Sequence, residues 1–315
     1  MPRRTTLSAR LARMGFADPA RAERLAGGDL ALDIDGGDAG LLAALAGAAD
    51  PDLALAALAR MPRGAEFLTA LHQDADLARR LALVLGASAA LGDHLARHPE
   101  GWRLLRGAEP LARPSAGELR SALLTAVGAD PGAGEPVAAA GQQAGPDAGP
   151  AAALRVAYRQ RLLHLAARDL TGQIAIDDVA AELADLAAAA LEAALAISRS
   201  NLPAGAAPCR LAVIAMGKCG GRELNYASDV DVIFVAEPAE GGPGDGNGAA
   251  LQTATQLAAG MIRVCSQSTA EGILFPVDPN LRPEGRDGPL VRTLASHRAY
   301  YERWAKTWEF QALLK

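Results

Sequence analysis

The stretch Gly217-Lys218-Cys219-Gly220-Gly221-Arg222-Glu223-Leu224-Asn225-Tyr226-Ala227-Ser228-Asp229-Val230-Asp231-Val232-Ile233-Phe234-Val235 constrains this chain more than any other. In its second half aspartates alternate with apolar residues, the period of a β-strand. Residues i and i+2 of a strand share a face, so Asp229 and Asp231 project together while Val230, Val232 and Phe234 turn to a core. Two adjacent carboxylates repel unless a cation lies between them. Mg²⁺ takes oxygen ligands and keeps positions open for substrate phosphates. Gly220 and Gly221 let the backbone approach a phosphate closely and offer N–H donors. The bland alternative is a turn before a strand with two solvated aspartates. The glycine pair, the apolar run before it and the one after it favour the metal site.

A second constellation is Phe275-Pro276-Val277-Asp278-Pro279-Asn280-Leu281-Arg282-Pro283-Glu284-Gly285. A pair of metal ions bridging an in-line phosphoryl displacement usually takes a third carboxylate from a neighbouring strand. Asp278 ends an apolar run and is the best placed candidate; its structural alternative is a cap on the Pro-rich turn. Arg282 and Arg286 are candidates to neutralise phosphate charge, against a surface salt-bridge role. Lys218 is a candidate to meet phosphate. Arg222, Glu223, Asn225 and Ser228 are candidates to position substrate or the aspartates, and each serves a structural role equally well. Together these features have the layout of a nucleotidyltransferase. The histidines suggest no site: His94 and His98 have metal-ligand spacing at i and i+4, but no carboxylate or cysteine cluster joins them in the sequence. Cys219 lies inside the key loop, where the glycines explain the loop without it.

The surrounding pattern changes period once. Helical stretches run over roughly 38–48, 51–61, 64–72, 75–85, 87–97 and 116–127, preceded by a broken helix over 7–30 in which Asp18-Pro19 restarts the pattern. Short connections predict an antiparallel bundle. Residues 128–151 are rich in Gly, Pro, Ala and Gln without periodicity and read as a mobile loop or linker. Leu154–Leu170 and Asp177–Ser198 read as long helices separated at Thr171-Gly172. Beyond Pro203 come apolar runs of strand length at Leu211–Met216, Val230–Val235 and Ile273–Asp278, with a Gly-rich loop at Glu240–Gly248 and a helix over Leu251–Gln267. Ser296–Lys315 reads as one helix, with Tyr301, Trp304 and Trp308 on a single core-facing side. It ends without a cap or breaker, which suggests a piece of a longer polypeptide. The expected fold is α+β: an N-terminal helical bundle (1–127), the loop (128–151), long helices (152–203), a nucleotidyltransferase-type α/β unit with a small mixed sheet (204–295), and the start of a C-terminal helical region (296–315).

Composition sets outer limits. Half the residues are hydrophobic, enough for sizeable cores, while aromatics make up 4%, so Ala, Leu and Gly carry the packing. The net charge of −5 argues against a general nucleic-acid binder. Cys209, Cys219 and Cys265 are far apart and form no CxxC pair, which disfavours a disulfide framework or structural zinc and fits a cytoplasmic setting. No window has the length of an uncharged transmembrane segment.

At these motifs the chain resembles the bifunctional glutamine synthetase adenylyltransferase/adenylyl-removing enzyme family. The resemblance is carried by Gly217–Phe234, by Val-Asp-Pro-Asn-Leu-Arg-Pro-Glu-Gly-Arg-Asp-Gly-Pro-Leu-Val-Arg-Thr at Val277–Thr293, and by Tyr300–Glu309. Residues Leu11–Pro19, His98–Leu105 and Ala157–Leu170 are similar to its helical part. The resemblance implies two Mg²⁺ ions held by Asp229, Asp231 and Asp278, with AMP/ADP and phosphate as substrate-side ligands. It implies glutamine synthetase as partner, with a PII-type signalling protein and glutamine as regulators. Such enzymes carry two nucleotidyltransferase units; the N-terminal one removes AMP from a tyrosine of glutamine synthetase by phosphorolysis, releasing ADP, and the C-terminal one attaches AMP from ATP. With a plausible initiator Met1 and one unit, this chain resembles the adenylyl-removing half, and one unit is not expected to perform both reactions. Adenylyl transfer in the opposite direction, a non-catalytic partner-binding module and an unrelated small-molecule nucleotidyltransferase are the competing readings. The motifs do not distinguish Mg²⁺ from Mn²⁺.

Overall fold

The computed structural model describes residues 6–33, 36–62, 64–107, 111–139, 148–239 and 247–314. It divides into two compact units, Met1–Arg113 with Arg159–Ala175, and Pro114–Tyr158 with Ile176–Lys315. The Gly-rich tract expected at Glu240–Gly248 and the centre of the 128–151 segment fall largely outside the described residues.

The first unit is helical. Its helices are α1 (Leu7–Arg13), α2 (Pro19–Arg24), α3 (Ala39–Ala46), α4 (Pro51–Arg60), α5 (Ala65–Gln73), α6 (Ala75–Ala87) and α7 (Ala89–Arg97). Most starts are written in the sequence: the side chains of Asp18, Asp50, Asp74 and Ser88 accept the N–H three residues on, and Pro19 and Pro51 occupy first-turn positions where no N–H is needed. A π-helical turn over Leu25–Asp29 carries no such signal, and a 3₁₀ segment over Pro99–Leu105 has a proline at its first position but no side-chain cap. Leucines and alanines such as Leu42, Leu55, Leu58, Leu77 and Leu85 fill the core. Arg80 is fully buried, and its Nη1 donates to the carbonyls of Leu105 and Gly107 at 2.8 and 3.2 Å.

The second unit contains α8 (Ala116–Ala126), α10 (Ile176–Ser200), α12 (Asn247–Ser266) and a four-stranded sheet; α9 (Pro150–Leu170) contributes its first turns here and the rest to the first unit. Residues 128–139 have no regular structure, yet Ala138 donates to the Ala196 carbonyl of α10 and Ala139 to that of Val127. α10 and α12 approach closely through small residues: a Cβ at Gly260 would lie 2.8 Å from Ser198 Oγ. The sheet is mixed, as the sequence predicts. β1 (Cys209–Ala215) pairs antiparallel with β2 (Val230–Pro238); β2 then pairs in parallel with two short strands, β3 (Val277–Asp278) and β4 (Val291–Arg292). β2 is therefore central, with Val230, Val232 and Phe234 buried at 1% exposure or less.

The C-terminal segment departs from the single helix expected. It is two helices, α13 (Leu294–Arg303) and α14 (Thr307–Ala312), because buried Glu309 turns its carboxylate back onto the Lys306 N–H and the Tyr300 hydroxyl at 2.7 and 2.8 Å. Tyr301 packs between Tyr300 and Phe310, whereas Trp304 is 73% exposed and Trp308 49% exposed, so neither tryptophan is core.

Two consequences are measurable. Arg155, 1% exposed, donates to the carbonyls of Ala151, Val264, Gln267 and Gly272, and so pins the end of α12 and the turn leading to β3. Arg155→Ala leaves those carbonyls buried without these donors and is expected to cost roughly 3 kcal/mol in urea unfolding. In the first unit, burial holds His164 down to about 4, with Arg168, Arg161 and Arg80 adding to the effect. Its folded pKa lies below the ordinary 6.5, so the folded state excludes a proton that the unfolded chain takes up. Urea midpoints should therefore shift against the wild type, relative to His164→Gln, as pH falls from 6.5 to about 4.

Candidate active site

Register brings the acidic residues together. Asp231 on β2 lies directly beside Asp278 on parallel β3, and Asp229 is two residues upstream on the same face. Carboxylate oxygens of Asp229, Asp231 and Asp278 all lie within 4.8 Å of one another. Asp229 is exposed, while Asp231 and Asp278 are half-buried. Burial, followed by the charges of Asp229 and Asp278, raises the Asp231 pKa above its ordinary value; the Lys218 ammonium partly offsets this. Asp278 also accepts the Asn280 N–H at 2.8 Å, which orients its carboxylate at the start of the Pro-rich turn.

The segment between β1 and β2 folds over Asp231. Residues Gly217–Gly220 form a single turn, α11, closed by Gly220 N–H to the Met216 carbonyl and Gly221 N–H to the Gly217 carbonyl. The Met216 N–H in turn donates to the Asp231 carbonyl at 2.9 Å. The sequence drew attention to Gly220 and Gly221, but Gly217 is where the missing side chain matters. It has φ +54°, and a Cβ there would lie 2.7 Å from Asp231 Oδ2. Its glycine identity was visible in the sequence; its contact was not, because it arises across the β1–β2 pair.

The remaining predicted residues fall into different settings. Lys218 is exposed at the turn, close enough for its charge to act on Asp231. The Ser228 hydroxyl is 3.5 Å from Asp229 Oδ1. Arg222 does not face the carboxylate cluster with a free guanidinium: it forks onto both oxygens of Asp185 on α10, a residue the sequence reading did not single out. Arg282 is buried, and its guanidinium donates to the carbonyls of Pro279, Arg286 and Gly288, holding the turn after Asp278. Arg286 is exposed, and its carbonyl is one of those acceptors. Burial and the charges of Asp231 and Asp185 push the Cys219 thiol up to about 11, so it stays protonated and is no nucleophile at neutral pH. A cavity of about 630 Å³ opens between the start of α9, the end of α10 and α12; none of the predicted site residues lines it, and its polar walls include Arg263, Gln256 and Asn201.

Chemically, the cluster offers oxygen donors alone, the set that suits Mg²⁺ or Mn²⁺. Gly217 lets the turn backbone pack directly against the Asp231 carboxylate, where any other residue would clash. Because the folded pKa of Asp231 is raised above the ordinary 3.8, the proton it holds stabilises the fold at low pH, and that contribution is lost as pH rises through the folded pKa. At pH 7 and with chelator present, Asp231→Asn is therefore expected to melt above the wild type. Added Mg²⁺ or Mn²⁺ should raise the wild-type melting temperature and leave that of the variant nearly unchanged, as read by calorimetry.

Comparison with known proteins agrees with the motif pattern. The family model for glutamate-ammonia ligase adenylyltransferase matches residues 78–315. A bifunctional glutamine synthetase adenylyltransferase/adenylyl-removing enzyme of Streptomyces avermitilis is 53% identical over 99% of this chain and 30% of its own length. Those of Streptomyces coelicolor and Mycobacterium avium are 51% and 45% identical, over 99% and 96% of this chain. The chain thus spans about 30% of the length of these relatives. On these matches the chain belongs to the glutamate-ammonia ligase adenylyltransferase family.

Proposed function

We propose that this chain carries a metal-dependent nucleotidyltransferase site that removes AMP from adenylyl-tyrosine on glutamine synthetase by phosphorolysis, releasing ADP. The observation that carries the reading is the convergence of the carboxylate oxygens of Asp229, Asp231 and Asp278 within 4.8 Å, with the Gly217 backbone packed against Asp231. The names of the relatives supply the protein substrate and both directions of adenylyl transfer. The three carboxylates serve either direction; the choice of removal rests on the family resemblance, in which an N-terminal unit of this kind removes AMP. A PII-type protein and glutamine are the regulators implied by the same resemblance.

On this reading Asp229, Asp231 and Asp278 hold the divalent ions, which supply charge neutralisation for the entering and leaving oxygens. The chain's own residues do the rest. The sheet fixes the three carboxylates, so little rearrangement is needed when substrate arrives. Lys218 lies on the exposed side of the turn, where it attracts the phosphate groups. Arg282 keeps the Pro-rich turn, and with it Asp278, in place. In the overall reaction an oxygen of inorganic phosphate bonds to the AMP phosphorus, the bond to the tyrosine oxygen breaks, and that oxygen ends with a proton as the phenol.

The test is an assay of ADP release from adenylylated glutamine synthetase with Mg²⁺ and phosphate. ADP should depend on phosphate, and Asp229→Asn or Asp231→Asn should lower the rate by about a thousandfold, the loss of several kcal/mol of charge stabilisation. Near-normal turnover in the double Asn variant refutes the assignment. Incorporation of AMP from labelled ATP into unmodified glutamine synthetase, with no ADP release, would assign the opposite direction.

A further inference from the structure

We propose that Asp185 and Arg222 form a clamp that positions the Gly217–Lys218 turn over Asp231 and thereby sets affinity for the nucleotide; the proposal rests on the nucleotidyltransferase reading above. Four observations converge on it. Arg222 has φ +57°, a left-handed conformation unfavourable for a residue with a side chain. Such strain persists where the surroundings hold it, and here its guanidinium forks onto both carboxylate oxygens of Asp185. Asp185 is not a mobile surface group: its side chain is 14% exposed, on a long helix flanked by buried Ala184 and Leu186.

The clamped residue is also mechanically continuous with the site. The Glu223 N–H donates to the Lys218 carbonyl at 2.7 Å, the Arg222 N–H to that of Cys219, and the Gly221 N–H to that of Gly217. Residues 217–223 thus move as one turn, and Gly217 rests against Asp231. Fixing Arg222 to α10 fixes where Lys218 and the turn's backbone stand relative to the carboxylates. An ordinary surface ion pair contributes little and could be cut without effect on a distant ligand. A clamp predicts a loss of ligand affinity in a protein that is still folded.

Calorimetric titration of the chain with ADP in the presence of Mn²⁺, and with Mn²⁺ alone, separates these cases. Asp185→Asn removes one charge; Arg222→Lys keeps the charge but loses the planar fork, and serves even if the first variant unfolds. Each is expected to bind ADP about tenfold more weakly while Mn²⁺ alone binds within about twofold of wild type. The exchanged pair D185R/R222D should recover most of the loss, since aspartate tolerates a left-handed backbone. Unchanged ADP affinity in both single variants, with wild type binding normally, overturns the clamp and leaves the proposed function standing. A wild-type chain that binds neither Mn²⁺ nor ADP overturns the nucleotide-site reading and the clamp with it.

Discussion

Three carboxylates with oxygens within 4.8 Å of one another repel, and the fold must supply the force that keeps them there. The long antiparallel pairing of β1 with β2 fixes Asp231, since seven residue pairs set its register. Asp278 is less secure, because β3 pairs with β2 over two residues only. Its position depends on what lies either side: the end of α12 before it and the Pro-rich turn after it. Both are held by buried guanidinium groups, Arg155 on one side and Arg282 on the other.

The same device appears in the helical unit, where buried Arg80 holds the carbonyls of Leu105 and Gly107. A core built mainly of alanine and leucine lets helices approach closely, as Gly260 and Ser198 do, but offers few large rings to wedge irregular backbone in place. A buried arginine does this by hydrogen bonding, because one planar group satisfies several carbonyls that would otherwise be costly to bury. These arginines are charged in the sequence and structural in the fold. That is why Arg282 reads as a phosphate ligand from its motif and as a turn scaffold from its contacts.

What the sequence makes legible is local. Helix starts at Asp50-Pro51 and Ser115, where a capping box with Glu118 forms, are set by side chains within three residues of the helix. The alternation around Asp229 and Asp231 is local too, and so were the strand and the shared face. What it could not give is set across the chain. β4 is two residues long and exists through pairing with β2; the break between α13 and α14 depends on Tyr300 and Lys306 meeting Glu309. Asp185 lies 37 residues before Arg222, on a helix whose pattern predicts only packing. The aromatic spacing of Tyr301, Trp304 and Trp308 implied one buried face because a continuous helix was assumed, and the turn at Lys306 removes that premise.

The distribution of charge gives the proposed site an order of assembly. Of the basic residues in its motifs, Arg222 is bound to Asp185 and Arg282 is turned into its own loop. Among the described residues Lys218 is the cation whose field lowers the Asp231 pKa, and the net effect on that carboxylate is still an upward shift. On the proposed reading, the three carboxylates repel an approaching phosphate, and divalent charge held between them would make its binding favourable. Nucleotide and metal affinities are then linked, each strengthening the other by the same factor. The raised Asp231 pKa belongs to the same argument: burial first, and then the charges of Asp229 and Asp278, disfavour the carboxylate, and on the proposed reading a bound cation would relieve both costs, so that this penalty becomes affinity for the ion.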